Sequence, residues 1–230
     1  MGVSQITALT LGLLAVIPPA FASGTSLHYR LRARVTGPRD EKTPPVDGWA
    51  LQVQRLPVNT HAVPADWMWG VLYNETYQPS RGGDLFYTQP ASDGSSHVRT
   101  DAPNAEGDVT PFGFSVGEPF SGYDLVSDQM VAVRSNRDET VTDIGVAGDG
   151  VPLLQKPGYS DATFVACNEL SQEYVQVYWA NIAFSGTDPI YTQDWRNCTE
   201  IQLVPECASD GPKYEDLQES SCVADIATVL

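Results

Sequence analysis

The chain has 230 residues, with 13 Lys and Arg against 29 Asp and Glu, a formal net charge of −16 and 42% hydrophobic residues. An excess of acid this large repels nucleic-acid phosphates and anionic lipid surfaces, so neither is expected as a partner. Acidity also keeps a protein soluble, so by itself it identifies no ligand.

The first residues predict a leader. An apolar run, "ALTLGLLAVI", is followed by "PPAFAS", in which Pro18 and Pro19 break the helix and Ala20-Phe21-Ala22 supplies small residues for cleavage. Residues 1–22 are read as a secretory signal peptide, and the mature chain then begins at Ser23. The run is too short for a membrane anchor, which needs about 20 apolar residues. The C-terminal "ADIATVL" is likewise too short for a lipid-anchor signal. A secreted, extracellular protein is expected, and about 208 mature residues suffice for one domain with a substantial core.

Ser26–Thr36, "SLHYRLRARVT", is the first predicted strand. Leu27, Tyr29, Leu31, Ala33 and Val35 alternate with His28, Arg30, Arg32, Arg34 and Thr36. Residues 1–115 hold 8 basic and 10 acidic residues, and residues 116–230 hold 5 and 19. The arginine row is therefore read as paired with the protein's own acidic residues on a neighbouring strand, with an external anion as the lesser alternative.

After the loop "GPRDEKTPPVDG", further strands are predicted at Trp49–Leu56, Trp67–Tyr73, Asp84–Pro90, Gln129–Ser135, Ala162–Asn168, Glu173–Phe184 and Thr199–Val204. Pro90–Pro111 and Ile144–Tyr159 read as long polar loops, and only Tyr214–Ala227 hints at a helical period. The expectation is an all-β fold: a single-domain antiparallel β-sandwich with long rim loops over residues 23–206. Residues 207–230 then form an acidic C-terminal tail tethered by a disulfide.

The four cysteines, Cys167, Cys198, Cys207 and Cys222, lie in the last third of the chain. An even number in a secreted chain points to two bridges, each contributing roughly 3–4 kcal/mol. If Thr199–Pro205 is extended, Cys198 and Cys207 stand about 30 Å apart and cannot bond to each other. Cys167–Cys198 with Cys207–Cys222 is favoured over Cys167–Cys207 with Cys198–Cys222. Asn74-Glu75-Thr76 and Asn197-Cys198-Thr199 are glycosylation sequons.

Catalytic motifs fail on their spacing. Gly113–Gly117, "GFSVG", resembles a nucleophile elbow at Ser115, but His28, His61 and His97 all precede it, whereas the elbow's base follows. Copper-dependent polysaccharide oxidation needs a histidine at the mature amino terminus, and His28 lies five residues beyond Ser23. Acidic loop residues such as Asp93–Asp108 lack calcium-loop spacing. Neither a metal nor a cofactor is expected, and no catalytic residue is assigned. A carboxylate pair could hydrolyse a glycosidic bond, but with so many acids the sequence singles out no pair. Trp67, Trp69, Tyr73, Tyr77 and Tyr87 are the residues most consistent with ligand stacking, although core packing explains Trp67 and Trp69 better.

The segments "YRLRARV", "VDGWALQVQRL", "FVACNEL", "YVQVYW" and "NCTEIQLVPEC" together resemble a family of small secreted fungal proteins. That family carries one β-rich domain of unknown function. The resemblance runs from about Leu27 to Cys207 and implies the fold and compartment, with no active site to carry over; Cys222 and the acidic tail depart from it. The leading expectation is a monomeric, non-enzymatic module that binds a glycan or extracellular protein at a cell wall or host surface. A polysaccharide hydrolase and a structural wall or coat protein are the alternatives.

Overall fold

A computed structural model describes residues 23–37, 45–54, 67–77, 82–92, 94–103, 107–116, 128–135, 142–156, 162–168, 175–185, 188–191 and 198–230. Strands dominate: β1 (Ser23–Ser26), β2 (His28–Val35), β3 (Ala50–Gln54), β4 (Trp67–Tyr73) and β5 (Phe86–Pro90). There follow β6 (Ser96–Pro103), β7 (Val109–Val116), β8 (Asp128–Ser135), β9 (Asp143–Val146) and β10 (Pro152–Gln155). The last are β11 (Ala162–Cys167), β12 (Val175–Ser185), β13 (Asp188–Tyr191), β14 (Cys198–Ala208) and β15 (Ser220–Val223). One 3₁₀ turn, Ile226–Thr228, is capped by Asp225, whose side chain accepts from the Ala227 N–H.

The all-β expectation holds, but the layers are not two facing sheets. β14, β11, β12, β4, β3 and β2 pair in that order, all antiparallel. β2 then pairs back onto β14 from Val35↔Ile201 to Ala208↔His28, which closes a six-strand barrel. Closing the ring removes its sheet edges. A meander of β5, β6, β7 and β8 leaves β2 at Tyr29↔Phe86 and rejoins the ring at β4 and β12. β4 divides its partners: Trp67–Trp69 face β8, while Val71 and Leu72 face β12.

The pleat explains the core. On β2 the inward residues Tyr29, Leu31 and Ala33 are fully buried, and on β14 so are Ile201 and Leu203. They meet Leu51, Val53, Met68, Leu72, Phe86, Phe112 and Phe114 in one continuous cluster. Phe164 and Trp179 are cross-strand partners packed edge to face at 4.7 Å between ring centroids. β14 is buried on both faces, because Val204 joins Val151, Leu153, Val223 and Val229 in a second cluster outside the barrel. The β9–β10 hairpin and the C-terminal turn thus lie against the outer wall.

Three segments correct the sequence reading. Pro90–Pro111, expected as a polar loop, contains β6 and the start of β7, and Ile144–Tyr159 overlaps β9 and β10. Tyr214–Ala227 holds a turn at 215–216, the strand β15 and the first residues of the short 3₁₀ turn rather than a helix of any length. Gly83 needs to be glycine: its φ is +69°, and a Cβ there would overlap the Val53 side chain. Its carbonyl accepts from Val53 N–H at 2.9 Å.

Leu203 sits at the centre of the barrel-closing ladder with no exposure to absorb its loss. Leu203→Ala is expected to destabilise the fold by about 3 kcal/mol, read as a lower urea midpoint. A loss below about 1 kcal/mol would show that the β2–β14 seam is loosely packed.

Candidate functional site

The outer face of β2 carries the arginine row, and each guanidinium meets a carboxylate of the same chain. Arg32 Nε lies 2.8 Å from Glu206 Oε2 and its Nη1 2.5 Å from Glu75 Oε2. Arg34 donates to Gln202 Oε1 and, at 3.0 Å, to Asp149 Oδ2 in the β9–β10 turn. Arg30 Nε is 3.8 Å from Glu75 and 3.7 Å from Asp84, within ion-pair range but beyond a hydrogen bond. Gln202 and Glu206 come from β14, the strand that pairs with β2. The cations therefore serve the fold, as the charge distribution of the sequence implies.

Burial disfavours the charge on Arg32, but Glu75 and Glu206 outweigh it and hold the guanidinium above its ordinary pKa. Glu206 also accepts from the Ile226 N–H through its other oxygen, so one carboxylate ties β2, β14 and the C-terminal turn. In the hairpin, the Val151 N–H and then Arg34 lower the Asp149 pKa.

Two of these carboxylates approach each other. Tyr73 donates its hydroxyl to Asp84 Oδ2 at 3.1 Å and to Glu75 Oε1 at 3.4 Å. The two acids therefore lie within about 6.5 Å, near the spacing used in glycoside hydrolysis. Each is also ion-paired to Arg30, whereas a general acid works best in an apolar pocket away from cations.

A second cluster joins the C-terminal segment to β5 and β6. Tyr87 donates to Asp101 Oδ1 at 2.7 Å, and Tyr214 reaches both oxygens of the same carboxylate at 3.2 and 3.1 Å. Burial first, then Asp101, raises the phenol pKa of Tyr87 and of Tyr214. Close by, Tyr29, Thr88 and Ser220 link hydroxyls at 2.9 and 2.7 Å across β2, β5 and β15. Burial likewise raises the Tyr29 phenol.

The remaining sequence candidates are spread over the fold. The disulfides are Cys167–Cys198 and Cys207–Cys222, the pairing the sequence favours over its one alternative. The first joins directly opposed residues of β11 and β14; the second tethers the C-terminal segment. Asn74 opens a tight turn in which its side-chain oxygen accepts from the Thr76 N–H at 2.9 Å; Asn197 lies outside the described residues. Tyr77 closes that turn and is 82% exposed, whereas Trp69, Tyr73 and Tyr87 are buried. The Trp67 side chain, His61 and Asp93 lie outside the described residues.

Ser115 sits within β7, opposite Ala132, and not at a strand-to-helix turn, so the elbow geometry is missing. Ser95 Oγ lies 3.1 Å from His97 Nε2, but His97 is buried at 1% exposure. No group of three His, Cys, Asp or Glu suited to a metal occurs among the described residues. Nor is any described helix long and apolar enough to cross a membrane.

Sequence reasoning missed Glu75, Asp84 and Asp101 as partners. Glu206 alone had a signal, since it follows an alternating strand with the outward parity of Gln202. Comparison with known proteins gives a match over residues 26–207 to a family described as a domain of unknown function, DUF7907. The antigenic protein SchS34 of Stachybotrys chartarum is 24% identical over 216 residues, covering 89% of this chain and 86% of that protein. No solved structure matches.

Arg32→Gln leaves the largely buried Glu206 without its cation, while the more exposed Glu75 keeps Arg30. It is expected to destabilise the fold by about 1–3 kcal/mol in urea titration at neutral pH. Arg30→Gln, at a more exposed position, is expected to cost less than about 1 kcal/mol. The reverse order would place the electrostatic centre of the row at Arg30. The tyrosines set an alkaline limit. Because folding raises their pKa values, the folded state keeps protons that the unfolded chain releases above about pH 10. Stability is therefore expected to be level up to that pH and to fall beyond it. An unchanged urea midpoint from pH 8 to 11 would contradict the Tyr87–Asp101–Tyr214 arrangement.

Proposed function

The chain belongs to the DUF7907 family, and from that premise we propose that it is a secreted fungal protein serving as a non-enzymatic binding module. Its ligand is a glycan, or else an extracellular protein, at a cell wall or host surface. Residues 1–22 act as the signal peptide, Asn74 and Asn197 carry glycans, and the mature protein is a monomer. The two disulfides suit an oxidising compartment. The fungal relative named as an antigen favours a protein that meets a host.

Tyr77 carries the binding reading. Of the aromatic residues near the end of β4, it stands 82% exposed on a turn closed by its own N–H to the Asn74 carbonyl at 3.0 Å. An aromatic ring presented on a hydrogen-bonded turn loses little freedom on binding, and its face suits the apolar side of a pyranose. The test is a glycan array and a cell-wall pull-down with the secreted protein. Tyr77→Ala is expected to weaken capture about tenfold, and Asn74→Gln separates a ligand from the protein's own glycan. Uniform failure to bind glycans, walls and host-surface proteins overturns the proposal.

A polysaccharide hydrolase is the second reading, and the Glu75–Asp84 pair around Tyr73 is what favours it. Sugar release by the wild type that Glu75→Gln and Asp84→Asn both abolish would support it. No release from any wall polysaccharide would remove it.

A further inference from the structure

Residues 209–219 cross the outer side of β5 and β6 as a narrow strap slung between Cys207 and Cys222, which are 15 residues apart. Gly211 lies flat on His28, where a Cβ would overlap the imidazole. His28 Nε2–H donates to the Pro212 carbonyl at 2.8 Å. Tyr214 rests 5.4 Å from the Tyr87 ring and binds Asp101. Gln89 donates to Asp216 at 2.6 Å, the Gln218 N–H donates to the Thr88 carbonyl at 2.9 Å, and Ser96 donates to Gln218 at 2.9 Å.

These contacts are mostly polar, and the strap's own residues Asp210, Lys213, Tyr214, Glu215, Asp216 and Glu219 are exposed. Such a segment is held at its ends, by Cys207–Cys222 and by the pairing of β15 with β1, more than by burial. The family match stops at residue 207, so the strap and Cys222 lie beyond it.

The closure is itself guarded. β1 pairs with β15 so that Gly24 lies opposite Cys222, and a Cβ at Gly24 would stand 3.7 Å from Cys207 Sγ. Cys222 is fully buried. A thiolate must reach a sulfur to open a disulfide, and β1 lies across the approach.

We propose that Cys207–Cys222 is the release catch of this strap, guarded by β1, and that opening it with an external dithiol uncovers Tyr87 and Asp101. One thiolate of the dithiol attacks a sulfur of the pair, forming a mixed disulfide and expelling the other cysteine as a thiolate. The second thiol of the reductant then displaces the mixed disulfide and closes its own. The protein gains two electrons and two protons as two cysteine thiols, and the dithiol becomes a cyclic disulfide. Cys167–Cys198 is the internal control, because it joins directly opposed residues of the β11–β14 ladder, whereas β14 and β15 meet only at Glu206↔Val223.

The test treats the native protein with dithiothreitol, quenches with iodoacetamide and identifies the alkylated cysteines by mass spectrometry, with amide exchange read at Gln218. Cys207 and Cys222 are expected to label while Cys167 and Cys198 do not, and deletion of residues 23–26 is expected to speed labelling about tenfold. In the alkylated protein, exchange at Gln218 is expected to rise about tenfold while β2 and β14 amides stay protected. A full-length Cys207→Ser/Cys222→Ser variant should show the same loosening without reductant. The proposal is overturned by first opening of Cys167–Cys198, by a rate indifferent to β1, or by undiminished protection of Gln218. Joint loss of barrel protection on opening also overturns it. If the double variant does not fold, the alkylated wild type decides.

Discussion

The ladder between β2 and β14 is the constraint on which the rest of the structure depends. It runs from Val35↔Ile201 to Ala208↔His28 and turns an open sheet into a closed ring. Its two strands lie near opposite ends of the described chain, so forming it closes a long loop. The compensation is burial on both sides. Tyr29, Leu31, Ile201 and Leu203 point into the barrel, while Val204 packs outward beneath the β9–β10 hairpin and the C-terminal turn. Loss of the ladder would open the barrel and expose the outer cluster together.

The same ladder resolves the odd charge distribution. The nearly balanced first half of the chain carries the arginines, and the acidic second half supplies Glu206 and Asp149 to meet them. Glu75 and Asp84 complete the set from the turn after β4 and the approach to β5. Four carboxylates against three guanidiniums leave a face close to neutral, although the whole chain carries −16. Such pairs add little where exposed, but Arg32 is largely buried, and there the partners decide whether a cation is tolerated at all.

Strands with apolar alternation were legible: β2, β3, β4, β8, β11, β12 and β14 were all foreseen, with ends shifted by a few residues. β6 was not, because its inward face carries Thr100 between Val98 and Ala102 while the opposite face buries His97, and polar residues buried on both faces blur the pattern. Alternation also assigns faces without saying which strand meets which, so a barrel and a sandwich look alike until β14 finds β2. The disulfide pairing was legible in part: an extended run between Cys198 and Cys207 disfavours one bond and leaves two pairings. Nothing local links Asp101 to Tyr214, since their contact follows only from where the strap crosses β6.

The two disulfides consequently do different work. Cys167–Cys198 staples residues already opposed across β11 and β14, adding to a wall that hydrogen bonds and core packing hold. Cys207–Cys222 holds a segment with little apolar burial, and it does so where β1 and β15 bring both ends of the described chain together. The molecule is thus divided in stability, with a barrel fixed by its core and a strap fixed at its ends, by Cys207–Cys222 and by the pairing of β15 with β1. Tyr87 lies where the two meet, buried by the strap on one side and packed over the barrel on the other. Whatever loosens the strap therefore changes the environment of that tyrosine and of Asp101 before it disturbs Leu31 or Leu203.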